Sequence, residues 1–337
     1  MKKYIKSKLN ILVLIIITLI VLYLALKDDF YVTINKIITL NLFWFLMGVF
    51  LVLGYWFLRS IVFHYFVKEF KEDYRFSDAF RLFVTTQFFH AITPFASGGQ
   101  PYEIYALKRQ GLRLAAATNV SIQNFIVYQI ALILLGIIAI VSNALFHIFR
   151  EVGLLKELVL IGFLVNFGVI VGLFVVSFGK KINYFIIKHV ITFLNKIKIL
   201  KDREKALNRW QNLINDFYDG AKMLVNNKKL FLLTILINFV ALLALYLVPL
   251  VILYGMGDFT SVDGFHSIIS CAYVMLIGSF VPIPGGTGGL EYGYIQFFGN
   301  FVKGSILKAS MLIWRFLTYY FGMIVGAIVL NIRRKDG

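Results

Sequence analysis

The sequence predicts an all-α polytopic membrane protein: about six transmembrane helices plus two re-entrant helical hairpins in an inverted-topology repeat. Three observations carry this expectation. Of 337 residues, 60% are hydrophobic and 15% charged, with a mean hydropathy of +0.81, more apolar surface than a soluble domain of this size can bury. The net charge of +17 sits between apolar runs and at the termini. That is the positive-inside pattern, with anionic lipid headgroups as counter-charge and no nucleic acid implied. Finally, two polar, glycine-rich breaks interrupt the oily chain: T-P-F-A-S-G-G-Q-P-Y-E at Thr93–Glu103 and V-P-I-P-G-G-T-G-G-L-E at Val281–Glu291. Placing Pro94 on Pro282 aligns Ser97 with Gly285, Gly98 with Gly286 and Glu103 with Glu291 without a gap. Paired breaks in two halves of a membrane chain point to a transporter's binding site.

Taken in order, Met1–Lys8 is basic and precedes the apolar run Leu9–Leu26. That run is too long for a signal peptide and ends in L-K-D-D, so it reads as an uncleaved first span. Asn41–Phe66 is the second span. His64 near its inner end reads as snorkelling to the interface, and the deeper Arg59 either snorkels or lines a polar path. The charged stretch Lys68–Arg81 follows. From Leu82 the apolar run reaches only Phe95, short of the ~20 residues a crossing needs. The return arm Tyr102–Arg113 carries Glu103, Lys108, Arg109 and Arg113, too charged for lipid, so the two arms read as a hairpin.

Ala115–Val141 is the third span, with Ser121, Asn124 and Tyr128 on one helical face. They serve either interhelical hydrogen bonds or a polar cavity. Leu158–Phe178 is the fourth span. The basic stretch 180–229 reads as cytoplasmic, with Trp210, Leu213, Ile214, Phe217 and Leu224 at the spacing of a helix lying on the membrane. Leu230–Tyr254 is the fifth span, kinked at Pro249. Phe265–Val281 and Leu290–Phe301 form the second hairpin, and Ile306–Leu330 the last span. Span, hairpin and span thus recur with opposite orientation. The domain reading is one integral membrane unit, 1–337, with repeats at about 41–141 and 230–331.

Glu103 and Glu291 follow the glycines where a helix would start, so each either caps that start or serves a ligand. Glycine amides at a helix N-terminus suit a phosphate or carboxylate, with Arg59 and Arg315 as charge partners. The candidate substrate-binding residues are therefore Ser97, Gly98, Gly99, Glu103, Lys108, Arg109, Asn124, Gly285, Gly286, Thr287, Glu291 and Arg315. Gly285–Gly289 lacks the Lys-Ser/Thr of a nucleotide loop. A single cysteine, Cys271, and scattered histidines suggest neither a metal nor another cofactor.

The motifs P-F-A-S-G-G-Q-P-Y-E-I-Y, with K-R-x-G after it, and P-I-P-G-G-T-G-G-L-E resemble the lysylphosphatidylglycerol synthase transmembrane family. That family includes the flippase half of the bacterial multiple peptide resistance factor, and the resemblance covers nearly the whole chain. It implies a bacterial plasma-membrane protein that moves a phospholipid, such as an aminoacylated phosphatidylglycerol, or another lipid-linked headgroup. In the full-length factor a soluble domain makes that lipid from lysyl-tRNA. This sequence stops at Gly337, just past the last span, so phosphatidylglycerol lysyltransferase activity is not expected from these residues. The remaining partner readings are a separate transferase docking on 180–229 and a homo-oligomer.

The charge pattern places 68–81, 180–229 and 332–337 in the cytoplasm. With Cys271 replaced by Ala, a single cysteine at Asn208 should react with a membrane-impermeant maleimide only after the cells are opened. Labelling from outside intact cells would reverse the orientation.

Overall fold

The computed structural model describes residues 30–149, 153–196, 202–278 and 281–332; the expected first span at Leu9–Leu26 lies outside them. Among the described residues the protein is all-helical. A short helix α1 (Phe30–Ile38) leads into α2 (Leu42–Lys68), which starts where the Asn41 side chain accepts a hydrogen bond from Phe43 N at 2.9 Å. Then come α3 (Phe76–Ala91), α4 (Gly99–Arg109), α5 (Leu114–Phe146) and α6 (Gly153–Phe178). A second series follows: α7 (Lys180–Lys196), α8 (Arg203–Asn226), α9 (Lys228–Tyr246), α10 (Val248–Gly255), α11 (Gly264–Gly278) and α12 (Gly289–Phe298). The chain closes with α13 (Gly304–Arg315), a π turn (Phe316–Tyr320) and α14 (Phe321–Asn331).

Five stretches are long and apolar enough to cross a bilayer: Leu42–Lys68, Leu114–Phe146, Glu157–Phe178, Lys228–Gly255 and Gly304–Asn331. They are the second to sixth expected spans. Pro249 stands in the first turn of α10, and Leu247 marks the bend from α9. In each hairpin the two arms pack against one another, α3 on α4 and α11 on α12, with a single tight 3-10 turn in each break. These two turns touch.

The helices around the breaks pair in exchanged fashion. Hairpin helix α3 packs on α14, the span that follows the second hairpin, and α11 packs on α5, the span that follows the first. The α3–α14 contact is close because Gly322 and Gly326 face α3. A Cβ at Gly326 would meet Val84 O at 2.7 Å and Phe88 N at 2.9 Å. Two apolar clusters result. The larger holds Trp56, Phe83, Leu135, Tyr246, Tyr294 and Trp314; the smaller holds Val62, Phe63, Phe66, Leu107 and Val120. Along α2 their boundary falls at Arg59, between Trp56 and Val62, which creates a polar belt between two oily blocks.

The structure changes two sequence expectations. The register of the echo is shifted by two residues. The tight turns are Pro94–Ala96 and Pro284–Gly286, and the return helices start at Gly99 and Gly289. Pro94 therefore matches Pro284, the pattern is P-x-x-[S/T]-G-G-x-x-Y, and Glu291 corresponds to Pro101 rather than to Glu103. Helix α8 also departs from its expected place on the membrane surface. Ile214 and Ala221 are buried, Phe217 O accepts a 2.9 Å hydrogen bond from Asn119 of α5, and Gly220 packs directly against that asparagine. The small glycine lets α8 seat on a span. It is α7 that exposes Ile182, Phe185, Ile186, Val190 and Phe193 along one face.

Candidate functional site

A break in a membrane helix frees backbone groups that something must satisfy. At the second break this is done by charge. Helix α12 starts at Gly289, which makes Glu291 its third residue, and Glu291 Oε2 accepts from Gly288 N at 2.7 Å. The other carboxylate oxygen takes Arg315 Nε at 2.6 Å. Arg315 Nη2 donates to Gly285 O at 3.0 Å and reaches Thr287 Oγ1 at 3.4 Å, and Thr287 Oγ1 donates to Pro284 O at 2.9 Å. The guanidinium lies 4.6 Å from the ring centre of Tyr319. With Glu291 7% exposed and Arg315 4%, this pair is out of water and spent on the break itself. Gly285 takes φ +68°, and a Cβ there would run into the Tyr319 ring. The Tyr319 hydroxyl donates to Ala91 O at 2.9 Å, which links the second break to the last residue of α3.

The first break has no ion pair among the described residues. Thr93 Oγ1 accepts from Gly98 N at 2.8 Å and donates to Phe89 O at 2.7 Å; Ser97 Oγ donates to Pro94 O at 2.9 Å. Gly99 is so close to the His90 ring that no side chain fits there. Phe95 and Ala96 occupy φ +53° and +52°, where the second break has Gly285 and Gly286. Each non-glycine residue in this region costs roughly 1–2 kcal/mol. The strained turn is exposed from Pro94 to Ser97.

Glu103 does not cap. Because α4 starts at Gly99, Glu103 is its fifth residue, beyond reach of the free amides. It is 5% exposed and accepts a 2.6 Å hydrogen bond from Ser121 Oγ of α5; no cationic side chain lies within 4.0 Å of it among the described residues. Asn124, one turn further along α5, is buried with its Oδ1 unbonded. Tyr128, one more turn on, carries Arg59 over its ring at 4.5 Å. Of the twelve predicted residues, Gly285, Thr287, Glu291 and Arg315 are thus bound to one another, with Gly286 in the same turn. Ser97, Gly98 and Gly99 form the first break, and Glu103 and Asn124 stand behind it. Lys108 and Arg109 belong elsewhere: they are exposed at the far end of α4, roughly 14 Å along the helix from its start. Sequence reasoning missed Tyr319, Thr93 and Asn238. Tyr319 lies one helical turn past Arg315, and Asn238 is a polar residue in an apolar span. Both signals were available.

Comparison with known proteins places the chain in a family of membrane proteins. A family model described as the lysylphosphatidylglycerol synthase TM region matches residues 10–326. A relative from Archaeoglobus fulgidus, described as a UPF0104 membrane protein, is 22% identical over 266 residues, covering 74% of this chain and 74% of its own length.

If the Arg315–Glu291 pair holds the second break, removing one partner should cost far more than removing both. Arg315→Met leaves a buried carboxylate and should destabilise by roughly 3–5 kcal/mol, while Arg315→Met with Glu291→Leu should recover a large part of that loss. Thermal unfolding in detergent reads both. Additive losses would contradict a coupled pair.

Proposed function

Starting from a chain that belongs to the lysylphosphatidylglycerol synthase transmembrane family, we propose that it is a lipid translocase of the bacterial plasma membrane, with cytoplasmic termini. A phospholipid, an aminoacylated phosphatidylglycerol among the candidates, or another lipid-linked headgroup passes along the seam between the two breaks while its tails stay in the bilayer. The two helix–hairpin–span series act as an inverted repeat around that seam, a reading supported by their exchanged packing.

The observation that carries this reading is Glu103. It is a buried carboxylate without a cationic partner in contact, held by one hydroxyl, directly behind an exposed and strained break that touches its counterpart. Intramembrane carboxylates are costly, and where they are not needed to hold the fold they mark substrate or proton paths. Glu103 offers an acceptor to a cationic headgroup group or a place for a coupling proton; Glu291, committed to Arg315 and Gly288 N, offers neither. The glycines of the first break let a headgroup come close to the backbone. Ser121 aims the carboxylate, and Asn124 extends the polar face along α5. The second break acts as the rigid wall of this seam, and the first as its moving side.

In vesicles reconstituted with the purified chain, Glu103→Gln should slow headgroup-labelled lipid movement by about tenfold or more, the equivalent of one charge-assisted hydrogen bond of ~1.5 kcal/mol, with folding intact. Glu291→Gln should instead lower the unfolding temperature. Wild-type transport by Glu103→Gln would end this reading of the carboxylate, and a wild-type chain that moves no lipid would end the translocase reading.

A further inference from the structure

Among the described residues two arginines are buried, and they are in opposite states. Arg315 uses both Nε and Nη2 on groups of the second break. Arg59, 7% exposed on α2, has no carboxylate within 4.0 Å among the described residues, and its Nε makes no hydrogen bond. Its Nη1 donates to Asn238 Oδ1 of α9. Asn238 is fully buried and aimed by its own amide nitrogen, which donates to Thr234 O at 2.7 Å. The guanidinium lies 4.5 Å from the ring centre of Tyr128 and 5.7 Å from that of Phe83. One corner of the fork is therefore tied down and its planar group is lodged against two rings, while the Nε side is left without a partner.

We infer that Arg59 is a built subsite for a phosphate group, the anion-binding half of the seam whose cation-binding half is Glu103; this rests on the translocase reading. A guanidinium presents two parallel N–H groups along its Nε edge, which match two oxygens of a phosphate. Asn238 fixes the opposite corner, so little freedom is lost when an anion arrives. The site is continuous with the polar face already described. Ser121, Asn124 and Tyr128 follow one another along α5, joining Glu103 at one end to Arg59 at the other, and the unbonded Asn124 Oδ1 lies between them. Burying an arginine with an unbonded edge is expensive in lipid and contributes nothing to packing that a Met or Leu would not. A ligand phosphate supplies the missing acceptors at that edge. The chemistry is that of a phosphate ester or of free phosphate.

The test titrates the purified, delipidated chain in detergent with short-chain phosphatidylglycerol, with the matching diacylglycerol and with inorganic phosphate, following the unfolding temperature. Phosphatidylglycerol should stabilise the wild type, and diacylglycerol, with the same tails and no phosphate, should not. Arg59→Gln should weaken the phosphatidylglycerol response by about tenfold or more. Arg59→Lys keeps the buried charge, and with it the fold, but lacks the two-toothed edge; it should lose severalfold. Competition by millimolar inorganic phosphate identifies a free anion as the natural source, and its absence identifies a lipid headgroup. Wild-type affinity in Arg59→Lys and Arg59→Gln overturns the subsite, as does equal stabilisation by diacylglycerol. Vesicle transport separates this inference from the function it rests on. A chain that binds through Arg59 but moves no lipid ends the translocase reading alone. A chain that moves lipid while binding phosphatidylglycerol equally well in both variants ends only the subsite.

Discussion

The fold depends on one constraint: a peptide group in hydrocarbon must find its hydrogen-bond partner inside the protein. Long helices meet it without help from side chains, which is why five spans can be built from Leu, Ile, Val and Phe with little else. The hairpins cannot. Each stops short of a full crossing length, and side chains near each stop are recruited to the backbone exposed there. Thr93 receives an amide and fills a carbonyl at the first stop. Glu291, Arg315 and Thr287 do the same at the second.

What distinguishes the two stops is how much is left over. At the second, glycines take the left-handed backbone at no steric cost, and an ion pair with full hydrogen bonding locks the turn. At the first, Phe95 and Ala96 take that backbone at a cost, a threonine replaces the ion pair, and the carboxylate nearby is released from capping. The two breaks thus differ in kind: the second is locked by charge, and the first is strained and leaves Glu103 free of capping. The polar belt through Glu103, Ser121, Asn124, Tyr128 and Arg59 starts on α4, the helix that follows the first break. Along α5 it is flanked by the smaller apolar cluster, through Ala117, Val120 and Val127, and it reaches the larger one at Tyr128.

The spans and hairpins were legible in the sequence because hydropathy and length are one-dimensional quantities that lipid reads directly. The break registers were not. Pro-Gly-rich stretches can be matched at more than one offset, and two prolines, Pro282 and Pro284, competed for Pro94. Only the backbone, with turns at Pro94–Ala96 and Pro284–Gly286, decides between them. That two-residue difference converts Glu103 from a cap into an uncommitted carboxylate, so the identity of the residue was readable while its role was not. Likewise, the apolar face of 210–224 was correctly periodic, but periodicity says that a face is buried and not against what. The contact between Gly220 and Asn119 decides it in favour of protein over lipid. Lys108 and Arg109 were grouped with the breaks by closeness in sequence, which along a helix translates into distance.

The π turn at Phe316–Tyr320 has a consequence for how this chain tolerates length changes. Such a turn holds one residue more than the α-helix around it, so it amounts to an insertion absorbed without breaking the span. Deleting a single residue there would restore a regular helix of the same apolar composition, invisible to hydropathy. Because five residues in the π turn rotate the chain about as far as four in an α-helix, Gly322 and Gly326 would keep facing α3, while Tyr319, inside the turn, would lose its place and with it the bond to Ala91 O. The extra residue therefore serves the link between the breaks and not the packing of the span, so a neutral-looking deletion at this one place would cut the Tyr319 connection while leaving α14 seated on α3.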